Sequence, residues 1–263
     1  MAIRLPQGAG RLCRRGEHGM RVMIIGGTSG IGLALGQHYA SQDAQVALCG
    51  RDTGRLDGHA LAAHPQVRRY AFDIADRAAL EAAVQDFGSD GLDLLIVTAG
   101  QYTDAATLAV RPEAALPVLA TNVGGLCLAF DAAGALMRRQ GHGHLVAVAS
   151  IAGLVKDYPA GSLYSASKRA AIAICDTYRK ALAPFGIAVT TLVPGYVDTA
   201  RLRELNGGSA AAKPFLQPEA DAVQRMAGAI ERRAERCVFP WQLHALVRLF
   251  NCLPLGLRQL RRK

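Results

Sequence analysis

Short apolar runs recur along the chain, and longer stretches with helical spacing separate them. The runs are rich in Val, Ile and Leu, which predicts buried strands. They lie near residues 21–25, 45–49, 67–72, 92–97, 144–150, 187–193 and 236–239. Between them apolar residues recur three and four positions apart, which predicts helices, the longest near 112–139 and 162–183. Strands that alternate with helices in this way indicate an α/β fold with a doubly wound parallel sheet in a single domain.

A glycine-rich turn follows the first predicted strand. The sequence GGTSGIG, residues 26–32, stands between that strand and a helical pattern. Glycines let backbone amides approach a phosphate, and the amino end of a helix favours negative charge. A glycine cluster alone is more often an ordinary turn, but the strand before it and the helix after it favour a dinucleotide pyrophosphate site. The sheet is therefore predicted to be Rossmann-like.

Tyr164 and Lys168 are the first candidates for catalysis. Their spacing of four residues puts both side chains on one helix face, with the Cβ atoms about 5–6 Å apart. A nearby ammonium favours phenolate and is expected to lower the tyrosine pKa from about 10. A tyrosine tuned in this way can exchange a proton with a carbonyl or alcohol oxygen. Ser150 ends a predicted strand at the sheet edge where ligands bind, and Asn122 lies in a long predicted helix.

Together these motifs resemble the classical short-chain dehydrogenase/reductase family, and the likeness runs from about Arg21 to Phe239. Ile25 stands where the family usually has Thr, and Val97-Thr98 stand where it usually has two Asn. Those positions bear on cofactor affinity more than on chemistry. The matching motifs are GGTSGIG at 26–32, FDIAD at 72–76, TAG at 98–100, Asn122, Ser150, YSASK at 164–168 and PGYVDT at 194–199.

The resemblance implies a catalytic tetrad of Asn122, Ser150, Tyr164 and Lys168. By this resemblance Tyr164 is expected to be the general acid/base and Ser150 to hold the reacting oxygen. Lys168 binds the nicotinamide ribose and lowers the pKa of Tyr164, and Asn122 anchors a proton-relay water. The implied activity is hydride transfer between a nicotinamide cofactor and a carbonyl compound or secondary alcohol.

The family pattern also implies which residues contact the cofactor, with Asp73 beside the adenine. The choice of cofactor depends on the end of the second strand, where Gly50 and Arg51 occur instead of an acidic residue. An acidic side chain there would favour NAD(H), whereas an arginine accommodates the 2′-phosphate of NADP(H). Asp52 is expected to cap the next helix, so NADP(H) is predicted and NAD(H) is the alternative. The implied cofactor contacts are Gly26, Thr28, Ser29, Gly30, Ile31, Arg51, Asp73, Ile74, Ala99, Gly100, Tyr164, Lys168, Pro194, Gly195, Val197 and Thr199.

The net charge of +9 is concentrated at the two ends of the chain. Residues 1–21 and 254–263 each carry +4, which leaves +1 for residues 22–253. A nucleic-acid enzyme more often has a basic groove on its folded body, so no nucleic acid is expected as a partner. The cysteines and histidines lack metal-ligand spacing, and no metal is expected.

Charge and pattern together divide the chain into three parts. Residues 1–20 are predicted to be a disordered basic arm, and Met20 is an alternative start. The arm lacks the apolar core of a secretory signal, so the protein is expected to be cytoplasmic. Residues 21–240 form the predicted enzyme domain, and residues 241–263 form an amphipathic basic tail.

Two loops, residues 151–162 and 196–215, are expected to frame the substrate. Their mostly apolar side chains suit a neutral, moderately hydrophobic ketone, aldehyde or secondary alcohol. These side chains are Leu154, Val155, Tyr158, Tyr196, Leu202, Leu205 and Phe215.

The tail from Trp241 carries apolar residues at helical spacing up to Pro254, and a cluster of cations follows. The apolar face either covers the substrate pocket or a neighbouring subunit, or attaches the protein to the inner face of a membrane. The predicted apolar face is Leu243, Leu246, Val247, Phe250 and Leu253, and the cations are Arg258, Arg261, Arg262 and Lys263.

Small residues in the two longest helices permit close packing between subunits, and the family resemblance implies a homodimer or homotetramer. Two other functions stay open at this point. The same fold could serve as a non-catalytic sensor that binds nicotinamide cofactor, although the complete tetrad counts against this hypothesis. Alternatively, the protein could act at a membrane surface through its carboxyl-terminal tail.

Overall fold

The computed structural model describes residues 19–156 and 162–254. Its centre is a seven-stranded sheet of order β3-β2-β1-β4-β5-β6-β7, in which neighbouring strands pair in parallel. This sheet confirms the predicted α/β fold. The strands are β1 Arg21–Ile25, β2 Gln45–Gly50, β3 Val67–Ala71, β4 Leu94–Val97, β5 Gly143–Val148, β6 Ile187–Pro194 and β7 Arg236–Phe239.

Helices cover both faces of the sheet. Because side chains alternate along a strand, Val22 and Ile24 face α1 and α8, whereas Met23 and Ile25 face α2, α5 and α6. Strands buried on both faces explain the continuous apolar runs in the sequence. The helices are α1 Gly30–Ala40, α2 Arg77–Phe87, α3 Ala105–Val110, α4 Ala115–Leu119, α5 Leu126–Gln140, α6 Leu163–Leu182, α7 Ala200–Glu204, α8 Glu219–Glu231 and α9 Trp241–Cys252.

The strand order reverses between β1 and β4, where the chain winds first one way and then the other. In open α/β sheets ligands bind in the crevice at this switch point, beyond the carboxyl ends of the strands. The turns that follow β1, β4, β5 and β6 all reach this edge and carry most of the predicted site residues.

The long helix predicted near 112–139 is interrupted. A 3-10 turn at Pro112–Ala114 leads into α4, and a π turn at Ala120–Gly125 separates α4 from α5. The whole stretch Pro112–Gln140 is long and apolar enough to cross a membrane by length and composition. However, Phe130 and Met137 are fully buried in the core on one side of the sheet. The α5 part of the stretch therefore packs in the core of this fold.

Several predictions fall outside the described residues. They concern the basic arm apart from Gly19 and Met20, the substrate-loop residue Tyr158, and the terminal cations Arg258, Arg261, Arg262 and Lys263.

Candidate active site

The glycine turn after β1 is held against the turn after β4. A Cβ at Gly26, where φ is +92°, would lie 2.5 Å from the backbone N of Ala99 and from Thr98 Oγ1. A Cβ at Gly32 would also lie 2.5 Å from Thr98 Oγ1. Thr98 donates from Oγ1 to the carbonyl oxygen of Ile25 at 3.2 Å. Glycine is required at both positions because the two turns touch, and Thr98 joins them.

The amino end of α1 fits the pyrophosphate of a dinucleotide. Ser29 stands at the N-cap position, but no described side chain caps the helix there, and its first turn contains no acidic residue. First-turn N–H groups of the helix therefore remain available to an anion. Gly30 has φ +48°, and a Cβ there would lie 3.7 Å from Thr199 Cγ2. Thr199 thus borders the same turn, and its contact with the cofactor stays a prediction.

Glu219 is a neighbour of this turn that the sequence reasoning missed. A Cβ at Gly30 would lie 4.0 Å from Glu219 Oε1. That oxygen is buried without a hydrogen-bond partner among the described residues, and burial raises the pKa of the carboxyl. In the sequence Glu219 is only an acidic residue at the start of α8, which gives no sign of its place beside α1.

The end of β2 has no room for a side chain at its last residue. A Cβ at Gly50 would lie 2.7 Å from Thr28 Oγ1 and 2.9 Å from Thr28 Cγ2. Arg51 follows and is exposed. Asp52 accepts a 3.0 Å hydrogen bond from the backbone N–H of Gly54 and lies 3.5 Å from Arg55 Nε. The Asp52 side chain therefore bonds to the start of the following 3-10 turn, Gly54–Leu56.

The turn after β3 carries Asp73 and Ile74. Asp73 is half-buried and accepts a 2.9 Å hydrogen bond from the N–H of Ala75, which shapes the turn. Ile74 is buried, and a Cβ at Gly125 would lie 2.7 Å from its Cγ2. Ile74 thus packs against the π turn, which bears Asn122.

Tyr164 lies in the first turn of α6, which begins after the capping residue Ser162. The Ser162 hydroxyl accepts a 3.2 Å hydrogen bond from the N–H of Ser165. Ser150 follows β5, and its hydroxyl is hydrogen-bonded to the phenol of Tyr164. The ring of Tyr102 lies 5.1 Å from that of Tyr164, centroid to centroid. The structure therefore brings Ser150 and Tyr164 together at the carboxyl edge of the sheet.

The expectation that Lys168 lowers the pKa of Tyr164 is wrong for this structure. Burial raises the pKa of Tyr164; the hydrogen bond from Ser150 opposes this rise, and the nearby Tyr102 and Tyr196 add to it. Lys168 Nζ lies 5.8 Å from the centre of the Tyr164 ring. It donates instead to the carbonyl oxygen of Val148 at 2.9 Å. The ammonium is held by the end of β5 and not by the phenol.

Lys168 is itself buried, and burial lowers its pKa to about 8. A Cβ at Gly100 would lie 3.3 Å from Lys168 Nζ and 3.5 Å from Asn122 Oδ1. Gly100 therefore leaves open a space that two tetrad residues border. This is a place where a cofactor could approach both polar groups.

Asn122 lies in the π turn, an irregularity that is frequent at functional sites. Its Oδ1 accepts from the N–H of Gln101 at 2.7 Å, and its Nδ2 donates at 2.9 Å to the Gln101 carbonyl oxygen and to Ser167 Oγ. The side chain thus joins the turn after β4 to α6. A relay water at Asn122 stays a prediction.

The remaining predicted contacts follow β6. Pro194 ends β6, and a Cβ at Gly195 would lie 2.8 Å from Leu243 Cδ2 of α9. Val197 is buried and pairs with Gln217, while Thr199 caps α7 by accepting from the N–H of Leu202 at 3.2 Å.

The predicted residues fall into two groups along the sheet edge. Thr28, Arg51 and Asp73 lie at the ends of β1, β2 and β3, and the tetrad lies beyond β4 and β5. The glycine turn, which contains Thr28, adjoins both groups. Such an arrangement suits an extended dinucleotide, with its adenosine on one side and its reactive ring on the other.

Residues 20–209 match the family model described as short chain dehydrogenase. The chain belongs to this family.

Relatives of this short-chain dehydrogenase include an uncharacterized oxidoreductase of Mycobacterium tuberculosis, 29% identical over 243 residues, which cover 89% of this chain and 94% of the relative. An uncharacterized oxidoreductase of Myxococcus xanthus is 30% identical over 237 residues, which cover 88% and 92%. Bovine dehydrogenase/reductase SDR family member 7B is 34% identical over 191 residues, which cover 68% of this chain and 58% of that protein.

Solved structures of short-chain dehydrogenases have the same fold. A short chain dehydrogenase/reductase family protein superposes with a TM-score of 0.75 at 26% identity, over 84% of this chain and 95% of its own. A short chain dehydrogenase from Burkholderia cenocepacia, solved in complex with NADP, gives a TM-score of 0.77 at 23% identity, over 92% and 98%.

In this short-chain dehydrogenase the segment after Ser150 is clamped from two sides. Asn251 of α9 accepts from the N–H of Lys156 and donates to the carbonyl oxygen of Leu154, both at 2.8 Å. Arg169 of α6 donates to the carbonyl oxygen of Val155 at 2.6 Å. Sequence reasoning missed both residues, because each lies on a different element from the backbone that it holds.

An apolar cluster lies beneath this clamp. Leu243 and Val247 of α9 are buried with Ile151 and Val155, and Tyr196 packs against them. The inward face of α9 therefore covers the two loops predicted to frame the substrate.

Proposed function

We propose that this protein is an NADP(H)-dependent oxidoreductase that transfers a hydride between the nicotinamide and a carbonyl compound or secondary alcohol. The observation that carries the proposal is the group formed by Ser150, Tyr164 and Lys168 at the switch-point edge, beside a glycine turn with an uncapped helix. A nicotinamide cofactor, when bound, supplies or accepts the hydride. The side chains hold the substrate oxygen and move its proton.

In the reductive direction Tyr164 is the proton donor. The Ser150 hydroxyl would hold the carbonyl oxygen beside the phenol, and Tyr164 would give its proton to that oxygen. Burial raises the pKa of Tyr164, which keeps the phenol protonated at neutral pH. The protonated phenol is the form that can donate a proton in carbonyl reduction. Lys168, whose Nζ lies 5.8 Å from the centre of the Tyr164 ring, would hold the nicotinamide ribose.

A screen for NADPH oxidation by neutral ketones and aldehydes tests this proposal. Tyr164→Phe keeps the ring but removes the proton donor, so turnover is expected to fall by about 10²–10⁴-fold. NADPH binding, followed by cofactor fluorescence, should change less than twofold. Tyr178→Phe is the matched control, because Tyr178 lies on the same helix with its hydroxyl bonded to Asp131. Undiminished turnover by Tyr164→Phe would contradict the mechanism.

The same screen separates the enzyme from the sensor hypothesis. A sensor would bind NADPH but oxidise it with none of the carbonyl compounds, and Tyr164→Phe would then behave like the wild-type protein. The intact Ser150, Tyr164 and Lys168 support the enzyme.

Preference for NADP(H) is supported by the end of β2. An acidic residue in place of Gly50 would clash with Thr28 unless Thr28 moved. Arg51, the next residue, is exposed. The Burkholderia cenocepacia relative, which was solved with NADP, is consistent with this choice.

Arg51→Ala tests the cofactor preference. Loss of a charge-assisted hydrogen bond of about 1.5–3 kcal/mol should weaken NADPH binding roughly ten- to hundredfold and leave NADH nearly unaffected. Titration of both cofactors by fluorescence measures the two constants. Arg55→Ala serves as the control, because Arg55 is exposed one turn later beside Asp52. Equal use of NADH and NADPH by the wild-type enzyme would contradict the preference.

The substrate is proposed to be a neutral, moderately hydrophobic compound. Tyr102 and Tyr196 lie near the phenol of Tyr164, and Leu154 packs against α9 beside them. Aromatic and apolar walls with few charges suit such ligands.

We also propose that the protein is cytoplasmic and forms a homodimer or homotetramer through its long helices. Its carboxyl-terminal tail, residues 241–263, is proposed to contact the inner face of a membrane. Exposed apolar residues in two separate regions support the last two proposals.

A further inference from the structure

Helix α9 has a second apolar face, which points to solvent. Trp241, Leu246 and Leu249 are 72%, 51% and 64% exposed. Ala245 is exposed as well. Trp241, Ala245 and Leu249 follow one another at intervals of four residues, so they lie on one side of the helix, and Leu246 borders them. We call these four residues the outward face.

The outward face is distinct from the side of α9 that packs onto the enzyme. Leu243 and Val247 lie on the inward side and are buried against Ile151 and Val155. The sequence pattern had grouped Leu246 with these residues, but the structure places Leu246 on the exposed side. The inward contacts therefore leave the outward face without a partner among the described residues.

The positive charge on and after α9 favours an anionic partner. Residues 241–263 contain no acidic residue, and Arg248 is exposed beside the outward face. The sequence after α9 adds Arg258, Arg261, Arg262 and Lys263. Apolar helix faces bordered by cations bind anionic lipid surfaces, and tryptophan is favoured at the boundary between lipid and water. A second copy of the chain would instead bring these like charges together.

We propose that the outward face of α9 docks on the surface of an anionic lipid bilayer, with the helix lying in the plane of the membrane. Twelve helical residues span about 18 Å, which is too short to cross the hydrocarbon core. Because the other side of α9 covers the proposed substrate loops, docking also brings the active site to the membrane. Resting on the proposed function, this placement assigns the substrate to carbonyl compounds that dissolve in lipid.

Trp241 is the only tryptophan in the chain, so its fluorescence reports docking directly. The full-length protein is mixed with vesicles of phosphatidylcholine containing phosphatidylglycerol, and with vesicles of phosphatidylcholine alone. Trp241 emission is expected to shift to the blue with the anionic vesicles only, and the protein should float with them. Salt near 1 M should weaken the binding, because it screens exposed charges.

A double variant separates docking from catalysis. Leu246→Gln with Leu249→Gln should reduce partitioning onto anionic vesicles at least tenfold, since two large apolar side chains are lost from the buried surface. Turnover of a water-soluble substrate should stay unchanged. The control is Met20→Gln with Phe185→Gln, two exposed apolar residues outside α9 and outside the proposed substrate and subunit contacts.

Three outcomes would overturn the proposal. The first is that Trp241 emission does not respond to anionic vesicles. The second is that the double variant floats as well as the wild-type protein. The third is that the double variant changes the oligomer in light scattering without any lipid binding, which would make the outward face a contact between subunits. Tyr164→Phe should still float, so failure of the proposed chemistry and failure of docking are distinguishable.

Discussion

At the scale of single residues, burial acts on Tyr164 and Lys168 in opposite directions. It raises the pKa of the phenol and lowers that of the ammonium to about 8, because both charged forms lose their hydration. At neutral pH the pair therefore consists of a protonated tyrosine and a mostly protonated lysine. This is the state that donates a proton to a carbonyl oxygen.

The pH dependence of carbonyl reduction follows from Lys168. Its pKa in the folded protein is lowered to about 8, so the ammonium is present below that pH and is lost as the pH rises through it. If the ammonium is needed for the reaction, kcat/KM should be flat at pH 6–7 and fall roughly tenfold per unit well above pH 8. Initial rates of NADPH oxidation between pH 6 and 10 measure this.

Lys168→Arg is the control for this profile, because a guanidinium does not titrate in the range. The variant should be less active but should lose the break near pH 8. A wild-type rate that rises through pH 9 would exclude the protonated lysine from the reaction.

The candidate residues of the site were predictable from the sequence, but the hydrogen bonds and neighbours of those residues were not. Tyr164 and Lys168 were found from their spacing and their surroundings. That Lys168 donates to Val148, and that Glu219 borders the turn at Gly30, depends on strands and loops that come together only in the fold. Residues 20 or more positions apart leave no periodic trace of such contacts.

At the scale of secondary structure, α9 completes the substrate side of the site. The two hydrogen bonds of Asn251 hold the segment from Leu154 to Lys156, which directly follows Ser150 along the chain. Arg169 holds the same segment from α6, one residue after Lys168. The clamp therefore links the catalytic helix, the loop after Ser150 and the last described helix.

Asn251→Ala should loosen the substrate side and leave the cofactor side intact. Two hydrogen bonds contribute roughly 1–3 kcal/mol, so the KM for the carbonyl substrate should rise about tenfold while NADPH affinity stays within twofold. Steady-state kinetics measure the first quantity and fluorescence titration the second. Hydrogen exchange of residues 151–156 should accelerate, a readout that does not depend on activity.

Two further variants serve as an intermediate case and as a control. Asn251→Asp keeps the acceptor for Lys156 but loses the donor to Leu154, so its KM should be intermediate. Cys252→Ala changes the exposed neighbour and should have no effect. Equal increases in KM for cofactor and substrate would indicate general destabilisation and not a clamp.

The strands were predictable within about two residues because a parallel sheet buries both faces, and the apolar runs end where the strands end. The π turn at Asn122 was not predictable from the sequence, since α and π turns share the same apolar spacing over six residues. The two faces of α9 were not separable either. Apolar residues occupy most of its circumference, so periodicity could not tell whether Leu246 or Leu243 faces inward.

At the scale of the whole molecule, the most exposed large apolar side chains lie in two regions. One is the outward face of α9. The other is the stretch from α3 to α4, where Val110 and Leu116 are 77% and 74% exposed. Apolar patches of this kind mark interaction surfaces in soluble proteins. The second region adjoins the long helices predicted to form the contact between subunits.

A charged residue at Leu116 should break that contact. Leu116→Arg places a guanidinium in an apolar interface, where an unpaired charge costs several kcal/mol, so the oligomer should dissociate at micromolar concentration. Light scattering should give at least twice the 27.8 kDa chain mass for the wild-type protein and the chain mass for the variant. Leu205→Arg, at an exposed position outside both regions, should keep the oligomer. A wild-type monomer would refute the assembly, whereas a stable Leu116→Arg oligomer would move the interface away from α4.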